Sequence, residues 1–224
     1  MRLPPLRYVC VDQWVTDQAR GRSVLHLGCA GEYLDYGPGR CFHGRIIEVA
    51  RTVWGIEIDR ERLAQVQRWF PEDDDGQVRY LCGDVTNLQQ LGINGDFELI
   101  LAGSIIEHLA NPGEMLQGIR GLCGPHSTVI IVTPHAFGLS QFLRVALRRT
   151  ELVGPRHTCW FSIQTLTELC ARSGLRPSQW LTGYGWQPPT LKWALQKGIG
   201  VPFFRMFPHL GGSLIGVFHL ATGQ

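Results

Sequence analysis

Val24-Leu25-His26-Leu27-Gly28-Cys29-Ala30-Gly31-Glu32 is an apolar run that stops abruptly in small residues. The run from Val24 to Leu27 predicts a buried strand, and the glycines after it predict a loop whose bare main chain can approach a ligand closely. Two further runs end in acid: Val53-Trp54-Gly55-Ile56-Glu57-Ile58-Asp59 and Val78-Arg79-Tyr80-Leu81-Cys82-Gly83-Asp84. A close-approach loop beside two acidic strand ends suits a nucleoside, because ribose hydroxyls and an exocyclic amine all donate hydrogen bonds to carboxylate.

Outward from this stretch, strands and helices alternate. Strands are predicted at 23–28, along the Val53 run, at 77–82, at Phe97–Gly103 and at Thr128–Thr133, the last closed by Pro134. Helices are predicted near 42–51 and from an Asp59 N-cap to Pro71, with the acidic run 71–76 as a solvated turn. Regular alternation is the pattern of a doubly wound α/β sheet, parallel and covered on both faces. Leu6, Cys10 and Trp14, four apart, predict a lead-in helix over 5–19. A loop from Glu32 to Cys41 holds Tyr33, Tyr36 and the turn Gly37-Pro38-Gly39. After the fifth strand come a basic amphipathic helix at 139–149 and a helix opened by Ser162 and closed by Gly174. Two strand-like runs, Ser178–Trp186 and Ser213–Thr222, are predicted to pair antiparallel on the sheet edge, separated by 187–212.

The 224 residues, 44% hydrophobic and 18% charged, fit one soluble domain. A net charge of +2 is too small to imply a nucleic-acid footprint. Seven cysteines with no C-x-x-C pair point to a reducing compartment without disulfides or a structural zinc. No uncharged apolar stretch reaches the ~18 residues that span a bilayer, and Arg2 and Arg7 around Pro4-Pro5 lack the apolar core of a signal peptide. The expected location is cytoplasmic.

Taken together, Leu25 to Glu32, Glu57, and Asp84 in Cys82-Gly83-Asp84-Val85 resemble the motifs of the class I S-adenosylmethionine-dependent methyltransferases. Ile105-Ile106-Glu107-His108-Leu109 after Gly103 is similar to the segment following strand four in small-molecule members. Arg156-His157-Thr158-Cys159-Trp160-Phe161-Ser162 is similar to the segment that opens the helix before their antiparallel hairpin. The resemblance covers residues 22–175 and implies a Rossmann-like, mostly parallel seven-stranded sheet ending in an antiparallel hairpin. It divides the single domain into a lead-in (1–21), a cofactor-binding core (22–134) and an acceptor side (135–224) carrying a lid insertion at 187–212. Two departures stand out: His26 replaces the usual acid of the first motif, and Ala30 and Glu32 stand where glycines are common.

The resemblance implies S-adenosylmethionine as cofactor and S-adenosylhomocysteine as product. Gly28, Cys29, Ala30 and Gly31 would line its methionine end, and Ala102 and Gly103 would also bind the cofactor. Glu57 would accept from the ribose hydroxyls, Asp84 from the adenine amine, and Ile58 and Val85 would sandwich the ring. Transfer to a hydroxyl needs a proton acceptor near neutral pH, a task suited to histidine. His108 is the first candidate and His157 the second, with His135 a third. No cluster shows metal-ligand spacing along the sequence.

The expected activity is methyl transfer to a small-molecule or glycan-type acceptor, at oxygen. Two rivals remain at this point: a nicotinamide-dependent Rossmann oxidoreductase, whose ribose acid would resemble Glu57, and a catalytically silent scaffold. Gly28 to Gly31 lack the G-x-G-x-x-G fingerprint, which counts against the first rival. Arg144 and Arg148, with Lys192, Trp193, Lys197, Phe203, Phe204 and Arg205, mix basic and aromatic residues where the acceptor pocket is shaped. They suit an anionic or lipid-linked acceptor, peripheral membrane contact, or simply a solvated face over an apolar lid. The sequence sets no oligomeric state.

Overall fold

A computed structural model describes residues 3–31, 34, 37–150, 154, 156–185, 198 and 200–221. Glu32, Tyr33, Tyr36, and 187–197 and 199 of the insertion, Lys192, Trp193 and Lys197 among them, lie outside the described residues. The chain opens with β1 (Arg7–Cys10), α1 (Val11–Ala19), β2 (Ser23–Leu27), α2 (Phe42–Ile47), β3 (Thr52–Glu57), α3 (Arg60–Trp69) and β4 (Val78–Cys82). It continues through β5 (Leu99–Gly103), α4 (Pro112–Leu122), β6 (Thr128–Pro134) and α5 (Leu139–Leu143) to α6 (Ile163–Arg172), β7 (Leu175–Tyr184), α7 (Val201–Met206) and β8 (Ser213–Leu220).

The strands form one sheet in the order β1-β7-β8-β6-β5-β2-β3-β4. Only β8 runs against its neighbours, pairing antiparallel with both β6 and β7. The expected fold is present, with eight strands instead of seven. The extra strand is Arg7–Cys10, which the Leu6–Cys10–Trp14 spacing assigned to a helix. These residues pair in parallel with β7, Tyr8 opposite Thr182, and the helix starts only at Val11. Tertiary pairing overrides a helical spacing over so short a segment. The antiparallel pair is therefore not the edge of the sheet, since β1 covers β7.

Every side chain of β2 is buried, and alternate residues feed opposite cores. Leu25 and Leu27 pack with Met115 and Ile119 of α4 and Leu166 of α6. Val24 packs on the other face with Val15 of α1 and Ile46 of α2. His26 shares the parity of Val24 and so points at α2, where His43 waits. Their Nδ1 atoms are 2.9 Å apart, one donating and one accepting, and Phe42 and Tyr80 close around the pair. The histidine in place of the usual acid thus belongs to a buried imidazole pair.

Burial holds His26 down to about 4 and, with help from its neighbour, holds His43 well below the ordinary 6.5. The unfolded chain takes up protons that the folded chain refuses, so the pair's stabilisation is complete above 6.5 and is lost as pH falls toward 4. The expected slope is about 1.4 kcal/mol per pH unit for each ring. Urea melts across that window should show it, and a flat profile excludes the neutral pair.

The opposite edge, β4, is closed by side chains. Asp73 Oδ1 accepts from the amides of Gln77 (2.6 Å) and Val78 (3.2 Å), and Glu72 Oε1 accepts from Tyr80 (2.8 Å). The acidic turn read as merely solvated therefore occupies two edge donors of β4, the amides of Val78 and Tyr80.

Candidate active site

Register brings the expected cofactor residues to one level. Leu27 lies opposite Ile56 on β3 and Ala102 on β5, and Glu57 lies opposite Cys82 on β4. Gly28, Glu57 and Gly83 thus end adjacent strands about 4.8 Å apart, with Gly103 on the other flank of Gly28. Successive strands β2, β3 and β4 proceed one way and β5 and β6 the other, so Gly28 stands at the topological switch point, where open α/β sheets place ligands.

The local chain is built for that position. Gly28 has φ +71°, and a Cβ there would come within 2.9 Å of Ile105 Cδ1. Its amide and that of Cys29 both donate to Ile56 O, folding the loop over the end of β3. Cβ atoms added at Gly31 or Gly103 would meet open space. Cys29, Ala30 and Ala102 are buried, so they offer main chain to this crevice more than side chain.

Glu57 Oε1 accepts from the amides of Ile58 (3.0 Å) and Asp59 (3.1 Å), and Oε2 accepts from Ala30 (3.3 Å). Three bonds fix the carboxylate and leave acceptor capacity for a further donor. Asp84 behaves alike: Oδ1 accepts from Thr86 N at 2.8 Å, capping the short helix Val85–Leu91. Ile58 is 64% exposed, an apolar face beside two acids that fits a flat base. Val85 is buried in the core and offers little of the second face expected of it.

Arg62 had no role in the sequence reading. Its guanidinium donates to Ala30 O (2.8 Å) and Gly31 O (2.7 Å), tying α3 to the glycine loop. Asp59 had already set the start of α3 as its N-cap. Arg62→Ala should leave the fold intact and weaken S-adenosylhomocysteine binding about tenfold, the loss expected for charge-assisted bonds that order a loop. A calorimetric titration reads this, and unchanged affinity would show that the loop needs no tie.

Beyond β5, Ser104 takes φ +50° and the chain turns into a short helix, Ile106–His108. The amides of Thr158 and Cys159 donate to Glu107 O, and Thr158 Oγ1 donates to Leu109 O at 2.7 Å. This stitching brings together the two histidines chosen independently from sequence. Their rings meet edge to face with centroids 4.5 Å apart. Glu107, buried and accepting from Thr133 Oγ1 at 3.0 Å, completes the group. Ligand-capable atoms of Glu107, His108 and His157 all lie within 4.8 Å of one another. Spacing along the chain could not disclose this cluster, because 49 residues separate the histidines. His135 has a different place: it is buried, its Nδ1 3.1 Å from Gly211 O, holding β6 to the chain before β8.

His157 opens into a cavity of about 770 Å³ whose apolar wall is formed by Phe137, Leu139, Phe142, Val145, Trp160 and Leu210. Trp160 Nε1 is buried with no hydrogen-bond partner. Three of these wall residues come from α5 and the wider π-helical turn Arg144–Arg148 that follows it. The basic helix expected over 139–149 is thus present, widening to π geometry at Arg144–Arg148 and ending with Arg149 in the left-handed region.

Residues 12–179 match the model of a methyltransferase domain family, and the chain belongs to that family. A Mycolicibacterium smegmatis protein described as a probable S-adenosylmethionine-dependent methyltransferase is 27% identical over 169 residues, which is 75% of this chain and 57% of that one. The mitochondrial ubiquinone biosynthesis O-methyltransferase of Arabidopsis thaliana is 23% identical over 199 residues, 82% of this chain and 55% of that one. The chain thus spans little more than half the length of these curated relatives. The Burkholderia thailandensis 1,6-didemethyltoxoflavin-N1-methyltransferase, crystallised with S-adenosylhomocysteine, has the same fold with a TM-score of 0.53 at 16% identity, over 94% of this chain and 76% of that one. Membership of a methyltransferase domain family counts against the nicotinamide-dependent rival.

Proposed function

We propose that the chain methylates a hydroxyl oxygen on a small, largely apolar acceptor, and that His157 takes up the proton. The observation that carries this is the opening of His157 into an apolar cavity on the β5 side of the switch point, with His108 and the buried Glu107 directly behind it. When bound, S-adenosylmethionine supplies a methyl group on a sulfonium sulfur. In this reading Glu57 holds the ribose hydroxyls, Asp84 the adenine amine, and Ile58 covers one face of the base. The main chain from Gly28 to Gly31 and at Ala102–Gly103 receives the methionine end. An imidazole beside a buried carboxylate gains a stabilised charged form once it accepts a proton. The apolar cavity wall holds the acceptor and orients it for transfer. Residues 135–224 act in this reading as the acceptor side, in one domain with the cofactor core.

The likeness to an O-methyltransferase over 82% of the chain supports oxygen as the target, and all seven cysteines are free thiols, as suits a cytoplasmic setting. The test is labelled-methyl transfer to panels of phenols, alcohols and amines of matched size. Methylation of hydroxyls is expected, and transfer confined to amines would overturn the choice of atom. The Glu107–His108–His157 donor set also suits a divalent cation, which would polarise the hydroxyl in place of proton transfer to imidazole. Loss of turnover on chelation, restored by added cation, would favour that second reading.

A further inference from the structure

The small net charge conceals a division along the chain. Residues 1–114 hold eleven Lys and Arg against seventeen Asp and Glu, whereas residues 115–224 hold ten against two, Glu151 and Glu168. The basic half also carries most of the exposed large apolar side chains among the described residues. Eight of the ten exposed large apolar side chains among the described residues lie at 137–147 and 203–207, including Leu147 at 77% and Met206 at 73%. Scattered exposed apolar residues are ordinary, but this concentration in two segments is not. The segments join at their roots, where His135 N donates to Gly212 O, and Leu210 shares the cavity wall with Phe142.

We infer that Leu139–Arg149, together with Met206 and Phe207, rests on the surface of an anionic lipid bilayer, with the acceptor cavity opening from the same segment. Phe142, Leu143, Val145 and Leu147 supply the apolar contact, and Arg148 and Arg149 beside them, with Arg205 next to Met206, stand exposed to meet lipid phosphates. No acid occurs from Met115 to Thr150 to oppose that charge. A short basic segment with uncovered aliphatic and aromatic side chains has the composition of an interfacial helix. A nucleic acid would engage the arginines but gain nothing from Leu147 or Met206. Phe142 and Val145 also line the cavity, so an apolar acceptor held in lipid would reach His157 without crossing water. This deepens the acceptor assignment above and rests on it only for that route.

The test is co-sedimentation with vesicles of phosphatidylcholine alone and of phosphatidylcholine with one third phosphatidylglycerol, at low and high salt. Two double variants, Leu147→Glu with Met206→Glu and Arg148→Glu with Arg205→Glu, lie outside the cavity wall. The wild-type chain is expected to bind the anionic vesicles at least about tenfold more tightly than the neutral ones, and each double variant to lose about tenfold or more. Both variants should keep their melting temperature and S-adenosylhomocysteine affinity. Three results overturn the inference. The wild-type chain does not sediment, or its binding is fully released by salt and indifferent to the Leu147/Met206 pair, as for a generic polyanion surface. The third is a dimer that the Leu147/Met206 variant dissociates, which would assign the face to a second copy. Vesicle binding needs no turnover, so failure to methylate hydroxyls leaves this result readable.

Discussion

Glu57→Ala is expected to raise the dissociation constant for S-adenosylhomocysteine at least about 100-fold. Two ribose hydroxyls donating to an ionised carboxylate are each worth roughly 1.5–3 kcal/mol, and the substitution removes both. It also releases the Ala30 amide, which Oε2 holds at 3.3 Å, so the glycine loop loses a fixed point while the binding group disappears. Glu57→Gln should fall between, since an amide keeps one acceptor oxygen but loses the charge. Calorimetric titration of the three proteins, with NAD as a control that should not bind, measures the ladder. An alanine variant that folds normally and binds as tightly as wild type would show that the ribose is gripped elsewhere.

His157→Ala is expected to lower kcat by about 10² to 10³, the range for a lost general base, with S-adenosylhomocysteine affinity unchanged. The geometry makes the prediction asymmetric. His157 opens into the cavity, whereas His108 meets it edge to face from behind. His108→Ala should therefore cost less, about tenfold, by freeing the orientation of His157. The sequence alone ranked these residues the other way, since His108 lies nearer strand four. Equal losses in the two variants would restore His108 as a direct participant, and full activity in His157→Ala would remove the base altogether.

The strand ends behind the cofactor reading were legible because a parallel sheet turns sequence order into spatial order. Once Gly28, Glu57 and Asp84 are read as following the ends of three successive strands, pairing in register sets Leu27 opposite Ile56 and Glu57 opposite Cys82, with Asp84 two residues further on. The acceptor half was less so. His157 was picked out by its motif, but its meeting with Glu107 depends on Thr158 and Cys159 bonding across 51 and 52 residues, a contact without periodic signal. Arg62 was hidden for a related reason: an arginine in the first turn of a helix looks solvated until the loop it reaches is known. His26 looked like a defect in the first motif because its partner, His43, sits 17 residues away on a helix with no acid to announce the pairing. Arg7–Cys10 misled because four residues carry too little pattern to distinguish a strand from the start of the helix behind it.

The closure of β4 by Glu72 and Asp73 bears on how the purified protein keeps. A sheet flank with bare amides invites another copy to zip alongside, and here only two carboxylates from a hexapeptide stand in the way. Swapping both for alanine would leave turnover untouched, yet concentrated stocks would grow cloudy on storage and scatter light long before any loss of helicity.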